Sequence, residues 1–342
     1  MNKKIIVTGG SGFIGSNLIH NLIKKKYIIL NLDCLNYASV PDKFKPFVNS
    51  KNYKLYKYNI NNKLIVQNIL KKNKIDGIIN LASLSHVDRS INTPEKFILQ
   101  NISTNLSFIE EVNFYKKKNI FNGKFINIST DEVYGSIDKI ASDENFPLMP
   151  NSPYSASKAS VDHILRAYNQ TYDFPFINIR CCNNYGPFQF PEKFIPTIIL
   201  NLLKNDQVPL YGNGLNKREW IHVNDFSEAI ELIFKKGKIN NIYNVGSGQR
   251  FTNILLVNII KKIFEDKYNK KFRKDFIKFV KDRPGHDHSY KINSKKIRKN
   301  LKWNNTISLK TGLEQTIHWY LNNSRWIQYT KKKYKGERLG NK

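Results

Sequence analysis

Residues 7–16, VTGGSGFIGS, constrain this chain more than any other stretch. Their glycines fall between an apolar strand-type run, KIIVT at 4–8, and a helical pattern from about residue 13 to 25. Gly9, Gly12 and Gly15 satisfy G-x-x-G-x-x-G, and Gly10, Gly12 and Gly15 satisfy G-x-G-x-x-G. Glycine at these positions permits a tight turn and lets backbone N–H groups approach a pyrophosphate. The helix that follows adds partial positive charge at its N-terminus. Asp33 closes the next apolar run, at 28–32, about 20 residues further on. A carboxylate there can accept from the adenine ribose hydroxyls and repels a 2′-phosphate, so the spacing predicts NAD rather than NADP.

Further apolar runs at 75–81, 125–129 and 176–180 are separated by helical stretches. Strands spaced by helices predict βαβ units around a parallel sheet, hence an α/β, Rossmann-type doubly wound fold. A chain of 342 residues has a prior of two domains. After Cys181 the texture changes. Prolines at 187, 191 and 196 predict a loop over 184–196, followed by helices near 197–204, 225–236 and 252–265 and strands near 208–211 and 242–245. The expected organisation is an NAD-binding domain over 1–180 and a smaller C-terminal α/β substrate-binding domain over 181–330. Some segments of the latter return to the first domain, and a basic tail follows over 331–342.

Two constellations carry chemistry. In SPYSASKAS, Tyr154 and Lys158 lie four apart in a helical pattern, which stacks them on one face. A phenol with pKa near 10 is a poor base at neutral pH, and a neighbouring ammonium is expected to lower it. In ISTDEVYG, Thr130, Asp131 and Glu132 follow the 125–129 strand. The carboxyl ends of strands are where open α/β sheets place their ligands. Two adjacent carboxyls there suit a dehydration, which needs one group to take a proton from carbon and another to protonate a departing hydroxyl.

With these residues in place the sequence resembles the extended, sugar-nucleotide branch of the short-chain dehydrogenase/reductases. STDEVYG is similar to the motif of the nucleoside-diphosphate-glucose 4,6-dehydratases. SHVDRS from Ser85, NNYGPFQFPEKFIP from Asn183 and DRPGHDHSY from Asp282 extend the resemblance over residues 7–290. It implies a hydro-lyase in which NAD is reduced and regenerated within one turnover. Tyr154, aided by Lys158 and Thr130, would take the C4 hydroxyl proton. Glu132 would remove the C5 proton, and Asp131 would protonate the C6 hydroxyl as it leaves.

The same resemblance implies cofactor contacts at Gly9, Gly12, Phe13, Ile14, Gly15, Asp33, Cys34, Leu35, Asn36, Asn59, Ile60, Leu81, Ala82, Ser83, Gln100, Tyr154, Lys158 and Asn184. Substrate contacts are implied at Ser85, His86, Thr130, Asn183, Lys193, Phe194, Pro209, Leu210, Tyr211, Arg218, Asn244 and 282–286 (Asp282, Arg283, Pro284, Gly285 and His286). Arg218 and Arg283 have the fork geometry that suits a diphosphate. Pro209, Leu210 and Tyr211 could sandwich a pyrimidine, and His288 reads as surface. The chain departs from the family pattern at Asn59 (commonly Asp), at Ser83-Leu84 (Ala-Glu) and at Gln100 (often Thr). Trp220 in KREWIHVNDF favours dTDP-glucose as substrate, with UDP- or CDP-glucose as the alternatives. A homodimer is implied through segments 101–115 and 155–170.

The composition offers a competing reading. Lys+Arg number 56 against 27 Asp+Glu, a formal charge of +29. Such a balance suits a basic NAD-binding protein directed at nucleic acid. However, only ten of the 56 are Arg, the residue that site-specific recognition of bases and phosphates favours. The excess also concentrates away from the chemistry. Residues 261–302 hold 16 basic and 5 acidic side chains, whereas 127–186 hold 4 and 7. The expectation is therefore no nucleic-acid partner and a lysine-rich surface set by A/T-rich codons, which also favour Asn and Ile. Three cysteines, two of them adjacent, form no disulfide framework or zinc site. No apolar run approaches the length of a membrane span, and a strand-like run by residue 4 leaves no room for a signal peptide. A cytoplasmic enzyme without a metal is expected.

Overall fold

The computed structural model describes residues 2–334; the remainder of the basic tail, 335–342, lies outside the described residues. Twelve strands occur among the described residues: β1 (Lys4–Thr8), β2 (Ile28–Leu32), β3 (Tyr53–Tyr56), β4 (Gly77–Asn80), β5 (Lys124–Thr130), β6 (Phe176–Cys181), β7 (Asn183–Tyr185), β8 (Val208–Tyr211), β9 (Lys217–His222), β10 (Asn241–Val245), β11 (Arg250–Thr252) and β12 (Ile277–Val280). The helices are α1 (Phe13–Lys24), α2 (Lys63–Lys72), α3 (Val87–Asn92), α4 (Pro94–Ile98), α5 (Thr104–Lys117), α6 (Pro153–Tyr172), α7 (Phe194–Lys204), α8 (Val223–Lys236), α9 (Asn253–Tyr268), α10 (Lys295–Leu301), α11 (Leu309–Asn322) and α12 (Ser324–Lys331).

Seven strands form one sheet in the order β10-β6-β5-β4-β1-β2-β3, and every pair in it is parallel. The inner strands are apolar without alternation because helices cover both faces. Leu18, Ile19 and Leu22 of α1 and Phe226, Ile230 and Ile233 of α8 pack on one face. Val66 and Ile69 of α2, Phe108 and Val112 of α5, and Val161 and Leu165 of α6 pack on the other. This is the doubly wound α/β architecture that the sequence predicts.

Four of the strands are also tied by a buried polar row. Thr8 Oγ1 donates to Asn80 Oδ1 at 2.6 Å, Asn80 Nδ2 to Asn127 Oδ1 at 3.0 Å, and Asn127 Nδ2 to Asn178 Oδ1 at 2.8 Å. The row crosses β1, β4, β5 and β6 and pins their register beneath the carboxyl ends.

The strand order reverses between β1 and β4, so a crevice opens above β1. The C-terminal half supplies two smaller sheets, β11-β9-β7 and β12-β8. Their core includes Ile195, Ile199, Trp220, Leu256, Ile260 and Leu313. Three local expectations change. The strand near 242–245 is β10, which joins the large sheet beside β6 rather than a smaller one. The expected loop over 184–196 contains most of β7 and the start of α7. β3 has no counterpart among the apolar runs, because as an edge strand it is buried at Tyr53 and leaves Lys54 and Leu55 exposed.

Candidate active site

The Gly-rich turn closes β1 and opens α1. Gly9 sits at φ +62°, and a Cβ there would lie 2.8 Å from the Ala82 backbone at the end of β4. At Gly15 a Cβ would meet Gly10 Cα and Gly9 O at 2.6 Å. Gly12 caps α1 with no side-chain hydrogen bond, and no acid lies in the first turn, so the helix N-terminus is left to an anion. Asp33 follows β2 and is buried. Its Oδ2 accepts from Ser11 N–H at 2.8 Å and its Oδ1 from Leu35 N–H at 2.7 Å. Burial pushes its carboxyl up and these bonds pull it back.

A cavity of about 730 Å³ runs from this turn to the end of β5. Of the residues expected around a dinucleotide, Gly9, Gly12, Phe13, Ile14, Gly15, Asp33, Cys34, Asn36, Asn59, Ile60, Leu81, Ala82, Ser83, Gln100, Tyr154, Lys158 and Asn184 all line it. Leu35 does not; it takes a left-handed φ of +56° and turns the chain around the Asp33 carboxylate. The bare helix terminus, the close-packed glycines and the buried carboxylate at the far end fit NAD.

The acid pair and the Tyr154-Lys158 pair stand at the end of this cavity, where at Glu132 it meets a second one of about 720 Å³. α6 is started by a capping box, Ser152 with Ser155, and by Pro153 at its first position. That start fixes Tyr154 in the first turn and Lys158 one turn later. Thr130 ends β5, and its hydroxyl oxygen accepts from Glu132 N–H at 3.3 Å and lies 3.3 Å from Asp131 Oδ1. One hydroxyl thus sits against the acid pair, at the Asp131 carboxyl and the Glu132 backbone, and both acids act on the Tyr154 phenol. Asp131 lines the first cavity and Glu132 lines both.

The two acids differ in environment. Asp131 is 2% exposed and its Oδ2 has no hydrogen-bond partner. Burial, with Glu132 and Glu219 adding, holds its carboxyl well above the usual range. Burial also raises Glu132, but Arg283, Arg218 and Lys193 oppose it. Environments that separate two carboxyls in this way prepare one as acid and the other as base. Tyr154 departs from expectation. Burial, with Glu132 adding, pushes its phenol well up, while burial pushes Lys158 down. The Lys158 ammonium donates to Ile128 O at 2.6 Å. In this low-dielectric site desolvation outweighs the expected depression of the phenol by Lys158.

The second cavity gathers residues remote in sequence. Ser85, His86, Asn183, Lys193, Phe194, Pro209, Leu210, Tyr211, Arg218, Arg283 and His286 line it, whereas Thr130 lines the first. Arg218 donates to the carbonyls of Lys217 and Asp287 and lies 4.2 Å from the Tyr290 ring centroid. Arg283 is held by Asp88 at 2.7 Å, and Tyr211 Oη donates to the other Asp88 oxygen at 2.8 Å. Both ring nitrogens of His86 are engaged, Nε2 with Glu192 O at 3.1 Å and Nδ1 with Arg89 N–H at 3.4 Å. His86 thereby caps α3, and burial lowers its pKa to about 4.

Four expected substrate residues line neither cavity. Asn244 is buried in β10, where its Oδ1 accepts from Tyr134 Oη at 2.8 Å and its Nδ2 donates to Ser142 O. Asp282, Pro284 and Gly285 are exposed. Gly285 has φ +61° and packs a turn against Asn151 O, where a Cβ would come within 2.6 Å. Asp282 reaches the site indirectly, with its Oδ1 2.6 Å from His286 Nδ1. Conversely, Asp88, Glu192 and Tyr290 line the second cavity or hold its cations without having been singled out. Each lies inside a quoted motif, and a charged or phenolic residue in such a motif is the signal that could have found them.

A protein-family profile described as GDP-mannose 4,6 dehydratase matches residues 6–316. The dTDP-glucose 4,6-dehydratase of Escherichia coli is 40% identical, over 98% of this chain and 99% of that protein. The crystal structure of dTDP-glucose 4,6-dehydratase from Bacillus anthracis, in complex with NAD, superposes with a TM-score of 0.85 at 37% identity, covering 95% of this chain and 98% of that one. The Streptomyces venezuelae dTDP-glucose 4,6-dehydratase, also with NAD bound, gives 0.87 at 36%, covering 94% and 98%. On this evidence the chain belongs to the nucleotide-sugar 4,6-dehydratase family, among its dTDP-glucose 4,6-dehydratases.

Proposed function

We propose that the protein converts dTDP-glucose to dTDP-4-keto-6-deoxyglucose, as an NAD-dependent hydro-lyase. The observation that carries the reading is the acid pair beside the phenol: at Asp131 burial and two neighbouring glutamates outweigh Arg218, whereas Glu132 faces Arg283, Arg218 and Lys193, and Thr130 stands at the Asp131 carboxyl. A regulator directed at nucleic acid has no use for that arrangement.

Bound NAD supplies the hydride acceptor for C4 and the donor for C6. Tyr154 takes the C4 hydroxyl proton as its phenolate, a form that burial opposes and that the positive nicotinamide of bound NAD would favour. The resulting ketone acidifies the C5 hydrogen, which an unactivated sugar would not release to a carboxylate. Glu132, whose carboxylate form the facing cations favour, removes that proton. Asp131, kept protonated by burial, gives its proton to the C6 hydroxyl, which leaves as water. Return of the proton from Glu132 to C5 and of hydride to C6 completes the product, and transfer to Asp131 of the proton that Tyr154 took from the C4 hydroxyl restores the phenol and the acid. Lys158 fixes the end of β5 through Ile128 O. Arg218, Arg283 and Lys193 supply positive charge for the diphosphate, and Pro209, Leu210 and Tyr211 supply the wall for the pyrimidine.

By this reading residues 1–180, with β10, form the cofactor unit, and most of 181–330 builds the substrate cavity. Homodimerisation through α5 and α6, which expose Phe114 and Tyr172, and a cytoplasmic location complete it. No helix among the described residues is long and apolar enough to cross a membrane.

The test incubates purified protein with dTDP-, UDP- and CDP-glucose in parallel and follows the 4-keto product. dTDP-glucose is expected to turn over fastest. Preference for UDP-glucose would reassign the nucleotide, and no product from any of the three would overturn the enzyme reading.

A further inference from the structure

The crevice above β1 has two banks. The loop after β2 brings Tyr37 to one, and α3, after β4, brings Arg89 to the other. The segment after β7 supplies Glu192, and all three side chains line the first cavity. Tyr37 Oη donates to Glu192 Oε1 at 2.6 Å, and Arg89 Nε donates to Oε2 at 2.8 Å. The Glu192 side chain is 2% exposed. The Arg89 guanidinium lies 4.5 Å from the Tyr37 ring centroid, so the two banks also touch each other directly.

None of these side chains has a part in the proton transfers above. We propose that Tyr37, Glu192 and Arg89 form a latch across the dinucleotide crevice that retains NAD from one turnover to the next. The inference rests on NAD occupying the first cavity. Within that reading the reaction returns its hydride each cycle, so the cofactor has no need to exchange. The sugar nucleotide has the second cavity as its own entrance. Opening the first requires parting a buried carboxylate from a phenol and a guanidinium together, and hydrogen bonds to a buried charge are the strong ones.

The test loads the full-length protein with labelled NAD and follows its release into excess unlabelled NAD, with no sugar present. Glu192→Ala is expected to release NAD at least about tenfold faster, and Tyr37→Phe several-fold faster. The double variant should be no faster than Glu192→Ala, because the two side chains share one bond. Tyr37→Phe also costs the NAD-free protein this bond, so release is followed well below both melting temperatures, where a merely destabilised variant would release NAD at the unchanged rate. Unchanged release from both single variants would sink the latch while leaving the cofactor reading intact. Should Glu192→Ala not fold, Tyr37→Phe decides alone. Failure of the unchanged chain to hold labelled NAD would remove the cofactor reading and the latch with it.

Discussion

The two cavities that meet at Glu132 are built on different principles. The first is made largely by backbone and small residues: a glycine turn, a bare helix terminus, and Asp33 held by two N–H groups. The second is made by long charged side chains, Arg218, Arg283 and Lys193, balanced by Asp88 and Glu132. A cavity of the first kind is fixed by the fold, and within it Asp33 selects against a 2′-phosphate. One of the second kind depends on several segments arriving together, and it selects by charge. Each side should therefore fail in its own way.

The largest separation is expected from Glu132→Gln. Oxidation at C4 needs only Tyr154 and the cofactor side, so it should persist. Elimination should slow by about 10³-fold or more. Absorbance of the reduced nicotinamide should then accumulate after dTDP-glucose is mixed with the variant, and normal turnover would break the division of roles.

A paired substitution sharpens the contrast. Arg283→Gln should raise KM for dTDP-glucose by about 10–100-fold with NAD release unchanged. Asp33→Ala should weaken NAD binding by about tenfold and, at saturating NAD, leave that KM alone. Steady-state kinetics and cofactor titration distinguish the two. Effects of equal size on both ligands in both variants would erase the boundary between the cavities.

A last effect touches neither ligand and is read in stability. His86, at the junction, is depressed from 6.5 to about 4 by burial. Between those values the unfolded chain binds a proton that the folded chain refuses, so stability rises with pH across the window. Its contribution is fully present above about pH 6.5 and is lost as pH falls through about 4. At most about 3 kcal/mol is at stake. Denaturant melts at pH 7 and pH 5 should show the loss, and His86→Asn should reduce it.

The two cavities also differed in how far the sequence revealed them. The cofactor side was readable because its determinants are local: four glycines at fixed spacing and an acid at the end of the next strand. Leu35, implied by the resemblance, is not among the residues lining the cavity, and its left-handed φ of +56° turns the chain around the Asp33 carboxylate. The substrate side was reachable mainly through resemblance, since nothing local relates Tyr211 to Arg283, which meet through Asp88. Asn244 shows the risk. An amide suited to a sugar oxygen was claimed instead by Tyr134 and Ser142, because β10 belongs to the large sheet. Burial defeated the expected depression of the Tyr154 phenol, since spacing along a helix carries no information about desolvation.

The buried row from Thr8 to Asn178 has a consequence for motion. Every donor in it points the same way, toward β6. No amide can turn over without unpairing its neighbour, so orientation is inherited along the row and a disturbance at one strand reaches the next. The strands that present Thr130 and the segments after β4 and β6 therefore travel as a single plate, and the movements of turnover fall to the loops above it. Asparagines that genome bias could account for by number are, at these positions, the parts that keep the plate from shearing.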